Sequence, residues 1–331
     1  MLKSVKIVGL RGIAHGQLTD LPPGLGVFVG PNGSGKSTIL EALLLGASEN
    51  PADAVGHVVQ GRQTIGGARW LFHRDGSKTA VITAALSEGP RKLTLTLKHQ
   101  NSSVYAVDCE VPDQFNSWWA TVKFGDGNSY KVGFRENSIV GNPRLASEPI
   151  RLLAPYSMLQ QALPDVYSEA VTQGRQRVAK EIIKAVVPGL ENIEVLTDAG
   201  RPVVHLVFAD HSVPVESSGD GVMALVRLAL ELAARPGGTV LIEEPEVHEH
   251  PAAMRQSAMA IMEATRRNNI QVLLSTHSLD FIDALLAAAL PADLAKMCVY
   301  RCALDAGELR TTTISGTEVA RLRGEIGEDL R

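Results

Sequence analysis

Residues 26–45 read GVFVGPNGSGKSTILEALLL, and this stretch decides the fold of the chain. An apolar run, a glycine-rich turn and a run of helix-forming residues follow one another, which predicts a buried strand, a loop and a helix. Inside the stretch, Gly30, Gly35, Lys36 and Ser37 fit the phosphate-loop pattern G-x-x-x-x-G-K-[ST]. The pattern predicts a site for the phosphates of a nucleotide.

Each part of the loop has a physical role in such a site. Glycine lets the backbone turn so that N–H groups face the phosphate oxygens, and the start of the helix adds its partial positive charge. Lys36 supplies a full charge to the β- and γ-phosphates, and the Ser37 hydroxyl is a ligand for Mg²⁺. The residues that we expect to contact the nucleotide in this loop are Asn32, Gly33, Ser34, Gly35, Lys36, Ser37 and Thr38.

The composition of the 331-residue chain is that of a soluble globular protein, with 45% hydrophobic and 21% charged residues. The net charge of −4 excludes a general basic surface for nucleic acid but leaves room for a local basic patch. Three cysteines are too few for a disulfide framework, so we expect free thiols in a reducing compartment. No signal peptide begins the chain, and no run reaches the about 18 apolar residues of a membrane helix. We therefore expect a cytoplasmic protein without a membrane partner.

Apolar strands alternate with helices along most of the chain, which predicts an α/β fold with a mixed or parallel core. Short alternating segments between residues 68 and 150, separated by turn residues, add an antiparallel β section. We also predict a loop over Ser48–Gly67, a helical stretch over Pro164–Val187 and a hairpin over Ile193–Phe208. Buried strands are predicted at Val5–Leu10, Val27–Val29, Ile150–Ala154, Val240–Ile242 and Val272–Leu274, and helices at Ile39–Leu45, Val222–Ala234 and Ala252–Arg267.

A second motif is the apolar segment Val240–Ile242 followed by two glutamates. Carboxylates at the end of a buried strand provide what phosphoryl transfer needs beside a phosphate loop. We assign Glu243 to the metal, usually held through water, and Glu244 to the water that attacks the γ-phosphate. A solvated acidic turn is the alternative, and the presence of a phosphate loop in the same chain disfavours it.

Two further segments place polar groups where an anion could bind. His277 follows the predicted strand Val272–Leu274, where its ring is positioned to reach a γ-phosphate from the side; a structural histidine is the alternative. Ser218 and Gly219 precede the helix predicted from Val222, and N–H groups at a helix start bind anions. For this segment, an ordinary helix cap is the alternative.

Taken in chain order, these four segments resemble the Walker A, signature, Walker B and H-loop motifs of the ATP-binding cassette (ABC) ATPases. More narrowly, EEPEVHEHP at residues 243–251 and THS at residues 276–278 resemble the OLD-like and SMC/RecF-like branch of AAA ATPase heads. The signature segment ESSGDG lacks the leucine and glutamine typical of transporters, and Glu243 stands where an aspartate is usual. Both departures suit the OLD-like branch.

The resemblance implies a single ABC-type ATPase domain over residues 1–331. It implies a nucleotide lobe formed by residues of about 1–150 and 236–331, and a helical lobe that carries the signature over about 151–235. An α/β core, an antiparallel β section and this helical lobe together make up the expected fold.

The resemblance also implies ATP and Mg²⁺ as cofactors, and a homodimer with ATP at its interface. In that dimer Ser218 and Gly219 of one protomer face the ATP held by the other. A glutamine loop is implied as well, and Gln160 is our candidate for it; the other candidates that stay open are Gln60, Gln63 and Gln161. Arg11 resembles an arginine that lies near the phosphates in SMC-like heads, with a surface arginine as an equal alternative.

Three functions are compatible with these motifs. The first is an ATPase that controls a separate effector chain, a nuclease or toxin, as in anti-phage defence systems; a nuclease domain is expected on another chain, because none follows the ATPase motifs in this sequence. The second is a DNA-repair or DNA-binding head of the SMC/RecF type, for which Arg175, Arg177, Lys180 and Lys184 would form a phosphate-binding stripe; a solvated helix face is the favoured alternative for these residues. The third is the nucleotide-binding subunit of a membrane transporter, which ranks last because the signature motif typical of transporters is absent.

His248 and His250 form an H-x-H pair. We assign this pair to the segment that links two active sites across a dimer, rather than to a zinc site.

Overall fold

The computed structural model describes residues 1–61, 70–74, 78–96, 118–124, 129–135, 138–139, 150–154, 162–184, 187–247 and 251–331. The strands are β1 (Leu2–Leu10), β2 (Ile13–Leu18), β3 (Leu25–Val29), β4 (Thr79–Leu86), β5 (Gly89–Thr96), β6 (Trp118–Phe124), β7 (Ser129–Arg135), β8 (Ser138–Ile139), β9 (Ile150–Leu153), β10 (Asn192–Asp198), β11 (Arg201–Val207), β12 (Ser212–Pro214), β13 (Thr239–Glu243), β14 (Gln271–Ser275), β15 (Met297–Asp305) and β16 (Glu308–Ser315). The helices are α1 (Lys36–Ala47), α2 (Pro51–Gly61), α3 (Leu163–Thr172), α4 (Gln176–Lys184), α5 (Asp220–Ala233), α6 (Pro251–Asn268), α7 (Leu279–Ala288), α8 (Pro291–Leu294) and α9 (Gly316–Arg321). This mixture of parallel strands, antiparallel strands and helices confirms the predicted α/β fold class.

Contacts within the chain divide it into two compact units. The first unit consists of Met1–Leu21, Gly30–Arg151 and Cys302–Thr312, and the second of Pro22–Val29, Leu152–Arg301 and Thr313–Arg331. The predicted division of a single domain into a nucleotide lobe and a helical lobe stays a prediction.

The first unit is built on antiparallel strands. Its strand order is β8-β7-β6-β5-β4-β1-β2-β16, with antiparallel pairing from β8 to β2 and a parallel bridge from His15 of β2 to Glu308 of β16. The predicted antiparallel section is therefore confirmed in β4 to β8. The alternating segment at residues 103–107 lies outside the described residues.

Helix α1 packs on β1, β4 and β5 within the first unit. Its residues from Ile39 to Ala47 are all buried, and all but Glu41 are apolar, so the helix is buried on every side rather than amphipathic. Gly46 brings it close to the sheet, because a Cβ atom at this position would lie 2.9 Å from the Cβ of Ala84. The helix after the phosphate loop is therefore fixed by tight packing.

The second unit contains strands in the order β15-β3-β14-β13-β9, and β15, β3, β14 and β13 pair in parallel. Ser275 at the end of β14 pairs with Glu243 of β13 on one side and with Phe28 of β3 on the other. The carboxyl ends of these three strands therefore lie at one edge of the sheet. At the same edge Arg301 of β15 pairs with Val29, after which the chain enters the phosphate loop.

Helices α3 to α7 pack around the apolar core of the second unit, with α5 against α3, α4 and α6, and α6 against α7. A buried ion-pair network joins α5 to α3. Arg235 donates from Nη1 to Oε2 of Glu231 at 2.8 Å and from Nη2 to Oε1 of Glu169 at 3.0 Å. The Arg235 and Glu231 side chains are only 2% and 1% exposed, so the network holds the two helices in a dry environment.

The predicted hairpin over Ile193–Phe208 is confirmed as β10 and β11, and β12 extends them into a three-stranded antiparallel sheet. The two turn residues, Ala199 and Gly200, have φ angles of 46° and 79°. Positive φ at both positions is the geometry that matches the twist of two-residue hairpins. Within the described residues, no helix has both the length and the apolar character required to span a bilayer.

Two predictions of local structure are wrong. The predicted loop over Ser48–Gly67 contains helix α2, which begins at Pro51, a residue suited to the first turn of a helix. Ala54, Val55 and Val58 provide its buried face. The helical stretch predicted from Pro164 is interrupted between α3 and α4, because Gly174 adopts a φ of 70° and ends the first helix.

Candidate functional site

The phosphate loop of the first unit is shaped by glycines. Gly30, Gly33 and Gly35 have φ angles of 142°, 80° and 92°, a region that residues with a side chain rarely adopt. A Cβ atom at Gly30 would also collide with the carbonyl oxygen of Cys302. The backbone path of the loop therefore requires glycine at these positions, which include both glycines of the phosphate-loop pattern, Gly30 and Gly35.

Lys36 turns back over this loop. Its ammonium donates to the carbonyl oxygens of Gly30 at 2.8 Å and Pro31 at 3.0 Å, and the residue is only 5% exposed. Gly35 is the N-cap residue of α1 and provides no side chain to cap it, while no acidic residue occupies the first turn. The N–H groups at the start of the helix and the lysine charge are thus arranged as in an anion site.

Arg11 lies between β1 and β2 in the same unit. The residue adopts a φ of 50°, and its Nε forms an ion pair with the buried Oε2 of Glu41 on α1. The arginine side chain is 17% exposed and that of Glu41 is 1% exposed. The pair connects the β1–β2 turn to the helix that follows the loop, while the predicted place of Arg11 near the phosphates stays a prediction.

Cys302 follows the second unit's part of β15 and lies at the base of the loop. Burial raises the pKa of its thiol to about 12, and the charge of Lys36 opposes this only in part. A thiol with such a pKa is not deprotonated near neutral pH, so Cys302 is a packing residue rather than a nucleophile.

The acidic motif lies at the carboxyl edge of the second unit. Glu243 ends β13 and is 8% exposed. Glu244 leaves the strand with a φ of 44°, and its N–H donates to the carbonyl oxygen of Ser275 at 3.0 Å. The left-handed conformation directs the chain into a turn that Val247 closes by donating to the carbonyl oxygen of Glu244. Glu243 is therefore the last residue of the strand, and Glu244 begins the turn.

His277 meets this turn from the neighbouring strand. Its Nε2 lies 3.1 Å from Oε1 of Glu244. A third acidic residue, Glu246, accepts hydrogen bonds at Oε1 from the Thr276 hydroxyl and from the His277 N–H. The structure thus brings together Glu244 and His277, which the sequence placed on separate motifs.

The residues at this edge fit the demands of a magnesium ion. Ser275 is 1% exposed, and its hydroxyl oxygen has no hydrogen-bond partner among the described residues, although it neighbours Glu243 across the strands. A buried hydroxyl without a partner is suited to a ligand or its water shell. In the described ranges, no group of three or more histidine, cysteine, aspartate or glutamate side chains could hold a metal by itself. Magnesium, which keeps waters and phosphate ligands, needs no such group.

The signature segment lies at the start of α5 in the second unit. Ser218 donates from its hydroxyl to the carbonyl oxygen of Pro214 at 3.1 Å and from its N–H to Val215 at 3.0 Å. Gly219 is exposed, with a φ of 88°, and caps the helix without a side chain. The start of α5 therefore presents N–H groups to the surroundings without a side-chain cap.

The basic residues predicted as a stripe are partly neutralised. Arg177 of α4 forms an ion pair with Glu181 at 3.4 Å, and Arg267 of α6 contacts the same glutamate at 3.0 Å. The Arg177 side chain is 88% exposed. These contacts favour the alternative interpretation of a solvated helix face.

Several predicted residues cannot be placed in this geometry. Gln160, Gln161, Gln63, His248 and His250 lie outside the described residues. The sequence pattern assigns no individual role to Ser275, Thr276 or Glu246. The sequence does contain a third carboxylate two residues after Glu244, which could have indicated Glu246. Its contact with the segment that contains His277 is visible only in the structure.

Two models of known protein families match this chain. A family model described as an AAA ATPase domain matches residues 112–282, and one described as an AAA domain matches residues 4–107. The chain is 26% identical to the OLD nuclease of Thermus scotoductus over an alignment that covers 86% of this chain. The chain spans 60% of the length of that curated relative.

Solved structures of SMC heads have a similar fold. The SmcHead bound to the C-winged helix domain of ScpA is similar at a TM-score of 0.57 and 14% identity, covering 95% of this chain and 98% of that one. The Smc head domain with an extended coiled coil, bound to the C-terminal domain of ScpA derived from Pyrococcus furiosus, gives a TM-score of 0.54 at 12% identity, covering 99% of each chain. At these identities the similarity concerns the fold.

Proposed function

The chain belongs to the AAA ATPase domain family, and from this premise, together with its similarity to an OLD nuclease and to SMC heads, we propose that it binds ATP with Mg²⁺ and hydrolyses it to ADP and phosphate. The observation that carries the proposal is the phosphate loop itself. A buried ammonium lies 2.8 and 3.0 Å from two loop carbonyl oxygens, next to an uncapped helix start. Phosphate oxygens of a nucleotide are stronger acceptors for this charge than the carbonyl groups.

In the bound state the loop provides the phosphate contacts. Backbone N–H groups of residues 32–38 would donate to the phosphates, and Lys36 would provide its charge to the β- and γ-phosphates. Charge complementarity in this small, glycine-lined loop favours a triphosphate over neutral ligands. Gln160 stays our candidate for the glutamine loop.

The metal and the attacking water belong to the acidic motif. By their positions in the family motifs, Ser37 and Glu243 are the residues that would bind Mg²⁺, which would neutralise charge on the phosphates. Within the second unit, the hydroxyl of Ser275, which has no described hydrogen-bond partner, neighbours Glu243 in the strand register. Glu244 orients the water and accepts its proton, and His277 holds that carboxylate through Oε1. The roles follow from the chemistry of the side chains and from their family positions.

We propose further that ATP joins two copies of the chain. The exposed start of α5, with Ser218 and Gly219, has no side-chain cap, so its N–H groups are available to an anion, although Asp220 lies in the first turn. In the homodimer, each signature segment contacts the γ-phosphate bound to the other copy. ATP then stabilises the dimer, and hydrolysis releases it.

The biological role that we propose is control of a separate effector protein. The relative from Thermus scotoductus is an OLD nuclease, and the solved SMC heads are bound to domains of ScpA. These similarities support an ATPase that works with a partner, and we propose a nuclease or toxin in anti-phage defence as that partner. A switch driven by ATP-dependent dimerisation suits such control, because it converts nucleotide state into subunit contact.

Calorimetric titration of ATP into the purified full chain tests the nucleotide proposal. We expect saturable binding of one ATP per chain in the presence of Mg²⁺, and weaker binding with EDTA because the phosphate charge is then less well neutralised. Adenosine is the matched ligand without phosphates and should not bind measurably. Equal binding of ATP and adenosine, or no binding of ATP, would contradict the proposal.

A further inference from the structure

The turn after β13 and the start of the segment after β14 are connected by one carboxylate. Oε1 of Glu246 accepts a hydrogen bond from the Thr276 hydroxyl at 2.5 Å and a second from the His277 N–H at 3.0 Å. Thr276 is fully buried, whereas Glu246 and His277 are half-buried, so the Thr276 hydroxyl is the donor better shielded from water. This is the only described side chain that binds the backbone of His277.

The direction of these bonds is determined by the next residues. The Thr276 hydroxyl oxygen accepts from the N–H of Ser278 at 2.9 Å, so its hydrogen is available to point at Glu246. Ser278 in turn caps α7 by accepting from the N–H of Phe281. The hydrogen bonds therefore run in one direction from the helix start to the carboxylate, and Glu246 is needed as their final acceptor.

His277 is consequently held at two points. Its backbone N–H is fixed by Glu246, and its ring Nε2 lies 3.1 Å from Oε1 of Glu244. Both glutamates belong to one turn, which the bond from Val247 to Glu244 closes. A shift of the backbone at His277 would move the ring away from the carboxylate that it orients.

We propose that Glu246 is a positioning residue that sets the ring of His277 against Glu244. The proposal rests on the function proposed above, in which Glu244 orients the attacking water. In this proposal Glu246 acts through His277. Its acceptor oxygen is what matters, so glutamine, which keeps a carbonyl oxygen at the same reach, is the conservative substitution and alanine removes the acceptor.

The kinetic test compares Glu246→Ala and Glu246→Gln in steady-state phosphate release. We expect the alanine variant to lower kcat about 10- to 100-fold with KM nearly unchanged, since misplacement of a catalytic group by about 1 Å has such an effect. The glutamine variant should recover most of this loss. In a His277→Ala background, Glu246→Ala should lower kcat no further, because the residue that it positions is gone.

A merely structural role predicts different results. It predicts that Glu246→Ala lowers kcat by the same factor in the unaltered chain and in the His277→Ala chain. It also predicts that the kcat values of Glu246→Gln and Glu246→Ala differ only as much as the stabilities of the two variants do. If the alanine variant does not fold, Glu246→Asp replaces it, because the shorter side chain withdraws the acceptor by one methylene. Equal effects of the substitution with and without His277 would overturn the proposal.

A second readout does not depend on hydrolysis. Long-range ¹H–¹⁵N spectra of chain labelled at histidine nitrogens report which ring nitrogen carries the proton, and His277→Ala identifies the signal. We expect the Nε2–H form in the unaltered chain and in Glu246→Gln, and a mixture of both forms in Glu246→Ala. If the spectra behave so in a chain that hydrolyses no ATP, the positioning role stands and the ATPase proposal fails. A His277 signal that is unchanged in Glu246→Ala would overturn the positioning role.

Discussion

Nε2 of His277 lies 3.1 Å from Oε1 of Glu244, across the ends of two adjacent parallel strands. The side chains are 33% and 30% exposed, so both reach solvent while they contact each other. A carboxylate held in this way keeps one oxygen oriented and leaves the other for a water molecule. The contact connects two motifs that are separated by more than thirty residues in the sequence.

Glu244→Gln is expected to bind ATP and to hydrolyse it at least ~10²-fold more slowly, the typical contribution of a positioned base. Glutamine keeps an oxygen that accepts from Nε2 of His277, so the geometry is retained while the basic oxygen is lost. Steady-state phosphate release and equilibrium ATP binding measure the two effects separately. Near-normal turnover would move the role to Glu243 or Glu246.

The same Glu244→Gln chain should accumulate as an ATP-bound dimer, because the nucleotide that joins the two copies is no longer consumed. Size-exclusion chromatography with Mg-ATP, and with Mg-ADP as the control, measures this. We expect a shift to twice the mass with ATP alone. An unchanged elution volume under both conditions would count against ATP-dependent dimerisation.

Complementation tests the composite site. Ser218→Arg should bind ATP through its intact phosphate loop yet fail to hydrolyse it alone, because the signature that faces each nucleotide is blocked. Mixed with Lys36→Ala chains it should regain activity, since each heterodimer then contains one intact loop facing one intact signature. The measurement is phosphate release as one variant is titrated into the other at fixed total protein. A flat line at zero across all ratios, or full activity of Ser218→Arg alone, would argue against the arrangement.

Much of the site could be predicted from the sequence, because its chemistry lies in contiguous residues. The glycines, Lys36 and Ser37 occur within one loop, and Glu243 and Glu244 directly follow an apolar strand. The strand, loop and helix around Lys36 are confirmed by the structure. In these segments, the local pattern and the tertiary fold require the same residues.

Contacts between distant residues could not be predicted in the same way. The bond from Thr276 to Glu246 and the ion pair of Arg11 with Glu41 each join residues about thirty positions apart. Neither pair has a spacing that a helix or strand would reveal, because both depend on which strands become neighbours. Helix α2 could not be predicted for a different reason. The glycine and polar residues around it are typical of a loop, and only the fold shows that Ala54, Val55 and Val58 form a buried face.

The loop glycines differ in the space around them, and this predicts that alanine substitutions at Gly30 and Gly33 lower the stability of the protein by different amounts. Gly30→Ala and Gly33→Ala both place a side chain at positive φ, but only at Gly30 would the Cβ collide with the backbone, at the Cys302 carbonyl. We expect Gly30→Ala to lower the free energy of unfolding by about 1–3 kcal/mol more than Gly33→Ala. Urea unfolding followed by circular dichroism measures the difference. Equal losses would show that the loop relaxes away from Cys302.

The buried network around Arg235 predicts a large effect of removing one partner. Glu231→Ala leaves the Arg235 guanidinium, 2% exposed, without one of its two carboxylates. We expect a loss of about 3–5 kcal/mol in the free energy of unfolding, reduced to the extent that Glu169 compensates. Glu318→Ala, which removes an exposed partner of Arg321, is the matched control and should change stability little. Equal changes in the two variants would contradict the buried character of the network.

Phosphate release by the unaltered chain and by Lys36→Ala tests whether this chain hydrolyses ATP at the loop that contains Lys36. Lys36 donates to Gly30, Pro31 and Ser34 of the loop. We expect Lys36→Ala to fold, which circular dichroism checks. Both proteins are purified identically and assayed with Mg-ATP. We predict turnover by the unaltered chain, and for Lys36→Ala both a rate at background and a loss of equilibrium ATP binding. Equal rates and equal affinities in the two proteins would contradict the account.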